Sequence, residues 1–217
     1  MNKCDKNLVL LQVIFVSALI VSNVVASRLM NVFGLIVPAA VVCYPITYLI
    51  TDVIGELWGK EEANRTVVLG LIGSITSTVL FLLSINIFIP VDVDFNNKVH
   101  QVLGINYLFT GASLICYLIS QFLDVFIFHK IRDYVKSRLP DNWFAQRWMW
   151  NNGSTMLSQI VDTIIYITIA FGLGMGILFK NPLQILFMIF SQYIIKFCLA
   201  LLDTPIFYIL TRKSEER

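Results

Sequence analysis

Residues Gly153 to Phe179 read GSTMLSQIVDTIIYITIAFGLGMGILF, an apolar run with a single charged residue, Asp162. The run is long enough to cross a bilayer, which takes about 20 mostly apolar residues in a helix. Asp162 lies about nine residues into it, or roughly 13 Å at helical rise, close to the midplane. A carboxylate there costs roughly 2.5 to 3.5 kcal/mol on insertion scales, so it implies a partner, a cavity or a proton. The same Ser-Gln-x-x-Asp recurs at Ser120 to Asp124 (SQFLD), again among residues suited to lipid. The chain therefore places an amide and a carboxylate in oil twice.

The rest of the sequence agrees with a membrane protein. Of its 217 residues, 57% are hydrophobic and 14% charged, and the mean hydropathy is +0.76, outside the usual range of soluble domains. Six spans are expected, at Leu8 to Ser27, Val32 to Trp58, Thr66 to Ile89, Tyr107 to His129, Gly153 to Phe179 and Pro182 to Leu210. They form one all-α polytopic domain over residues 1–217 and leave no room for a soluble catalytic domain. The first span exceeds a typical signal-peptide core and lacks a small-x-small cleavage site, so it is expected as a mature helix.

Basic residues set the orientation, because cytoplasmic loops retain Lys and Arg. One side collects twelve of the sixteen: Lys3, Lys6, Lys60, Arg65, Lys130, Arg132, Lys136, Arg138, Arg147, Arg212, Lys213 and Arg217. Both termini are accordingly expected in the cytoplasm, and these side chains read as topology signals rather than a nucleic-acid surface. Cys4, Cys43, Cys116 and Cys198 are too dispersed for a disulfide framework or a zinc site, and nothing else in the chain asks for a metal or cofactor. Pro90 to Asn106 is expected as a short interfacial helix or re-entrant loop. The stretch Lys130 to Asn152, with Trp143, Trp148 and Trp150, reads as an interfacial loop. Gly172 and Gly176 form a GxxxG, a cue for close helix contact.

Positions three and four apart share a helix face, so Gln121 lies beside Asp124 and Gln159 beside Asp162. The second span adds Tyr44, Tyr48, Asp52 and Glu56 at intervals of four; the sixth adds Gln192, Lys196 and Asp203. Lys196 is central enough to pair with Asp162, and Arg28 could reach in from the outer end. Asp52, Asp124 and Asp203 lie nearer the cytoplasmic ends, and Glu56 is expected at the interface. The third span has the character of scaffold. The candidate binding residues are Gln121, Asp124, Gln159, Asp162, Asp52, Tyr48, Asn152, Lys196 and Asp203. Carboxylates in excess of cations favour a small solute rich in N–H donors, amides read its neighbouring groups, and Tyr44, Tyr48 or Phe122 could stack on a flat ring. The two SQxxD motifs are expected to face one planar ligand between them.

Four stretches carry a family resemblance: SNVVASRLM (Ser22 to Met30), YPITYLITDVIGELWGKEEA (Tyr44 to Ala63), YLISQFLDVFIFHKIR (Tyr117 to Arg132) and NNGSTMLSQIVDTIIYITIAF (Asn151 to Phe171). With the closing SQYIIKFCLALLDTPIFYIL (Ser191 to Leu210), they make the chain similar to the queuosine-precursor transporters, vitamin-uptake-transporter-like proteins. The resemblance implies a six-helix bundle of the bacterial inner membrane, akin to the substrate-binding components of energy-coupling-factor transporters. It implies uptake of 7-deazaguanines (queuine, preQ0 or preQ1) for tRNA modification, with no enzymatic step. A homodimer and a separate energising ATPase are the partners in view, since the chain has no Gly-x4-Gly-Lys-[Ser/Thr] loop of its own. Alternatives are the binding subunit of an ATP-driven importer for another small solute and a membrane assembly protein whose aspartates pair with a partner's basic helix. An intramembrane aspartyl protease lacks its signatures here: Gly172, Gly174 and Gly176 are not followed by Asp, and Asp124 follows Leu123.

Overall fold

A computed structural model describes residues 3–26, 28–87, 90–103, 107–138, 143–173 and 177–211. Eight helices and one hairpin appear among them, in the order α1 (Lys3–Val25), β1 (Leu29–Val32), β2 (Leu35–Pro38), α2 (Tyr44–Leu57), α3 (Lys60–Asn86), α4 (Val93–Leu103), α5 (Tyr107–Arg138), α6 (Trp143–Tyr166), α7 (Ile177–Lys180) and α8 (Pro182–Thr211). A 3-10 turn, Ala39–Val42, leads into α2, and a wide π-helical stretch, Ile167–Leu173, extends α6. Six helical segments are long and apolar enough to span a bilayer. Their outer faces are greasy: on α3, Val68, Ile72, Ile75, Val79 and Leu83 follow one another at intervals of three and four and all are exposed. Such a continuous apolar stripe belongs against lipid tails, where it costs nothing to leave uncovered.

The second span is shorter than hydropathy suggests. Instead of a helix from Val32, the chain forms an antiparallel hairpin in which Leu29 pairs with Pro38 and Val32 with Leu35. Phe33 (φ 53°) and Gly34 (φ 85°) make the tight turn, and the Asn31 side chain accepts a hydrogen bond from the Gly34 amide at 2.8 Å. Positive φ at both central residues is what a two-residue hairpin turn demands. The spanning segment then runs over Ala39–Leu57. Hydropathy could not separate the two, because a short apolar strand and the start of a helix look alike in an unbroken greasy run.

The basic loop is also largely helix. Continuous α5 reaches Arg138 and α6 begins at Trp143, so Arg147, Trp148 and Trp150 stand on a helix. Trp148 remains exposed, whereas Trp150 is buried with Phe128 and Phe207; the Trp143 side chain lies outside the described residues. Between α3 and α5 the expected short helix is present as α4, and the His100 ring sits 3.2 Å from the carbonyl of Ile85. Gly172 lies in the π-helical stretch, while Gly176, its GxxxG partner, lies outside the described residues. The reversal from α2 to α3 uses Gly59 at φ 91°, a conformation open mainly to glycine.

Helices α1, α3 and α5 meet around Phe15, Leu19, Val67 and Tyr117, with the Tyr117 hydroxyl donating to the Val67 carbonyl at 2.6 Å. Asn23 joins the same three helices, donating to Ser74 at 3.3 Å and accepting from Ser113 at 2.7 Å. Gly70 is the point of closest approach, since a Cβ there would lie 2.5 Å from both Phe15 and the Tyr117 hydroxyl. Overpacking of this kind costs about 1–3 kcal/mol. Gly70→Ala is therefore expected to lower the melting temperature of the detergent-solubilised protein; Gly111→Ala, with nothing within 4 Å of the added carbon, tests the same substitution without the clash. Equal behaviour of the two variants would refute this packing.

Candidate functional site

The polar residues of α2, α5, α6 and α8 form one column through the bundle. At its basic end, Glu56 of α2 is not at a solvated interface but buried, 3.1 Å from Arg147 and 3.7 Å from Arg132. Arg132 also donates to the carbonyl of Gly55 at 3.1 Å, and Arg147 to the carbonyl and hydroxyl oxygens of Thr211 at 3.0 and 2.9 Å. Two arginines that read as topology signals thus tie together the ends of α2, α5 and α8 and the start of α6. One turn further in, Asn152 of α6 exchanges hydrogen bonds with the Thr204 hydroxyl at 2.9 and 3.1 Å.

Next come the aspartates. Thr155 donates to Asp52 at 3.2 Å and Ser158 to Asp124 at 2.9 Å. Asp52 Oδ1 and Asp124 Oδ2 are buried and form no hydrogen bond among the described residues. Gln121 turns toward α2, donating to Thr47 at 3.3 Å and accepting from Thr51 at 3.4 Å. At the far end Lys196 Nζ lies 2.5 Å from Asp162, Ser120 donates to the other Asp162 oxygen at 2.9 Å, and the Lys196 ammonium sits 4.9 Å from the centre of the Tyr44 ring.

These bonds explain the repeated motif. Serine precedes aspartate by four residues in each SQxxD, so the two share a helix face. Where α5 and α6 pack against each other, Ser120 meets Asp162 and Ser158 meets Asp124. As the number rises along one helix it falls along the other, which is the antiparallel, reciprocal match that two copies of one motif permit. At the motifs themselves α5 and α6 are joined directly by these two bonds. Two side chains stand away from the column. Phe122 is 38% exposed and faces outward, out of stacking reach of the column, and the exposed Arg28 does not extend into it.

Of the residues expected to bind, Asp52, Gln121, Asp124, Asn152, Gln159, Asp162, Tyr48 and Lys196 are all buried in or beside the column, and Asp203 is half-buried at its edge. Ser120 and Ser158 were not among the expected binding residues, although the four-residue spacing of each to the aspartate of its own motif placed it on the carboxylate face of its helix. A small recess of about 10 Å³, room for about one water, opens among Tyr48, Leu49, Asp52, Asn151, Thr155, Ala200 and Asp203. Besides the two aspartate oxygens, the amide oxygens of Gln159 and Gln192 are buried without a donor. These oxygens suit a ligand that brings donors, and the buried hydroxyls of Tyr48, Thr163, Tyr166 and Ser191, likewise without a hydrogen bond among the described residues, suit one that also brings acceptors. Among the described residues no cluster of His, Cys, Asp and Glu could hold a metal ion.

Six apolar helices around an internally bonded polar column define a multi-pass membrane protein with an intramembrane site. Residues 38–210 match the family described as "Putative vitamin uptake transporter". Over 194 residues the chain is 31% identical to the "Probable queuosine precursor transporter" of Bacillus subtilis (strain 168), covering 88% of this chain and 79% of that protein. No solved structure matches it. The chain belongs to the vitamin-uptake-transporter family.

Removing one partner of a buried ion pair costs about 3–5 kcal/mol because the other charge is stranded. Lys196→Met is expected to destabilise the protein by that order in thermal unfolding in detergent, and Lys196→Met combined with Asp162→Asn to recover much of the loss. An additive double variant would contradict the pairing.

Proposed function

We propose that this protein takes up queuosine precursors, the 7-deazaguanines queuine, preQ0 or preQ1, across the bacterial inner membrane for tRNA modification. The observation that carries the reading is the set of buried acceptor oxygens without a donor on Asp52, Asp124, Gln159 and Gln192. A guanine-type edge offers an N1–H and a 2-amino group side by side, and a carboxylate accepts two such donors in parallel with charge assistance. The amide side chains of Gln159 and Gln192 then address the ring's remaining donors. The name of the relative in Bacillus subtilis supports the same solute class.

In this reading the basic end of the bundle and both chain termini face the cytoplasm, in keeping with the retention of Lys and Arg there. Asp52 and Asp124 bind the ring edge, Tyr48 supports its face, and Asp162 with Lys196 forms the floor of the site. Asn152 holds α6 to α8 beside the ligand. The protein works without catalysis, and any ATP hydrolysis belongs to a separate module, while a homodimer is compatible with the exposed face of α3.

Expression in a bacterium lacking precursor synthesis and its own transporter, but retaining salvage enzymes, should restore queuosine in tRNA when queuine, preQ0 or preQ1 is supplied at low concentration. Loss of one charge-assisted hydrogen bond corresponds to about tenfold or more in affinity. Asp52→Asn and Gln159→Ala should reduce uptake by that order at equal abundance in the membrane. Parental uptake by both variants would remove these residues from the site, and no restoration by any precursor, even with the ATPase module added, would overturn the solute assignment.

A further inference from the structure

Charge in the polar column is balanced only at its ends, where Glu56 is paired with Arg147 and Arg132, and Asp162 with Lys196. Between them Asp52, Asp124 and Asp203 form no ion pair among the described residues. Thr155 and Ser158 donate hydrogen bonds to the first two, but a hydroxyl solvates a carboxylate without cancelling its charge. Unpaired negative charge inside a bilayer is expensive, so this stretch calls for a cation.

The small recess in the same stretch has the lining of a cation site. Five of its residues, Tyr48, Asp52, Asn151, Thr155 and Asp203, bring side-chain oxygens, and no basic side chain lines it. Tyr48, Asp52 and Asn151 are 1%, 2% and 4% exposed, and on each a side-chain oxygen is buried without a hydrogen bond among the described residues. Thr155 already donates its hydroxyl proton to Asp52 and the Asn151 carbonyl, so toward a further partner its oxygen is an acceptor. Carboxylate, amide and hydroxyl oxygens suit a hard cation, and two carboxylates with no His or Cys suit a singly charged one. The volume of about 10 Å³, enough for one water, admits an ion stripped of its hydration shell but no organic group. Sodium, smaller than potassium and satisfied by fewer oxygen ligands, matches a space of that size.

We infer that this recess binds one unhydrated sodium ion, with Asp52 and Asp203 as its counter-charges and Tyr48, Asn151 and Thr155 completing its oxygen shell. The ion joins α2, α6 and α8 and supplies the positive charge that the middle of the column lacks. Its coupling to the solute rests on the uptake reading, in which Asp52 also binds the ring edge. A carboxylate has about four acceptor positions over its two oxygens, so Asp52 can hold the ion and still accept from the ring. Sodium fixes the carboxylate that the solute needs, and by linkage each binds more tightly in the presence of the other. A sodium gradient then drives uptake.

Thermal melting of the purified full-length protein in detergent, in sodium, potassium or choline chloride at equal concentration, tests the ion site without any solute. The melting temperature should rise saturably with sodium, by about 2–4 °C or more relative to choline, and far less with potassium. Asp203→Asn and Asn151→Ala should each lose most of the sodium-dependent shift while melting close to the parent in choline chloride. Tritiated queuine, preQ0 or preQ1, whichever binds, should bind the parent at least about fivefold more tightly in sodium than in choline, and Asp203→Asn equally in the two. Equal melting of the parent in sodium and choline, a potassium shift as large as that of sodium, or an undiminished sodium shift in both variants would overturn the inference. Solute binding indifferent to sodium would overturn the coupling and leave the uptake reading intact. A sodium shift in parent protein that binds none of the three solutes would support the ion site and count against the solute assignment.

Discussion

A carboxylate placed between lipid tails has no water to hydrogen-bond with, so its partners must come from the protein. Much of this bundle is arranged around that requirement. Ser120 and Ser158 cross from one SQxxD motif to the aspartate of the other, and the two bonds set the relative depth of α5 and α6. If α5 slid along α6 by a helical turn, each serine would lose its aspartate, leaving buried acceptors unmet. The pairing is thus a register device as well as a means of solvating charge.

Charge is distributed unevenly along the same column. Its ends are closed by ion pairs, Glu56 with two arginines and Asp162 with Lys196, and these link helices that are far apart in the chain. The middle has carboxyl groups and amide oxygens with fewer donors than they can accept from. A stable, inert bundle would have no reason to retain that imbalance, since buried polar groups are ordinarily satisfied. In the proposed uptake role there is one, because the cargo would supply the missing donors and withdraw them on leaving.

Some of this was legible in the residues and some was not. The six spans, the shared face of Gln121 with Asp124 and of Gln159 with Asp162, and the central position of Lys196 all follow from hydropathy and helical periodicity, which act within one segment. The hairpin at Leu29–Pro38 escaped because an apolar strand that pairs with its neighbour is as greasy as the beginning of a helix. The ion pairs of Arg147 and Arg132 escaped for a related reason: a basic residue near the end of a span satisfies the orientation rule whether it faces water or a buried Glu56. Phe122 occupies the position next to Gln121, and its outward placement depends on how α5 is rotated in the bundle.

The sequence by itself determined that this is an α-helical membrane protein with acid and amide groups inside its spans, because lipid tolerates only long apolar helices and makes every interior charge conspicuous. Which groups meet was decided by the tertiary structure alone. Ser120 and Asp162 are forty-two residues apart and Asp52 and Thr155 one hundred and three; neither separation has a periodicity to reveal it. Hydrogen bonds and ion pairs form only within a few ångströms, and that proximity is set by helix packing, which no single segment encodes.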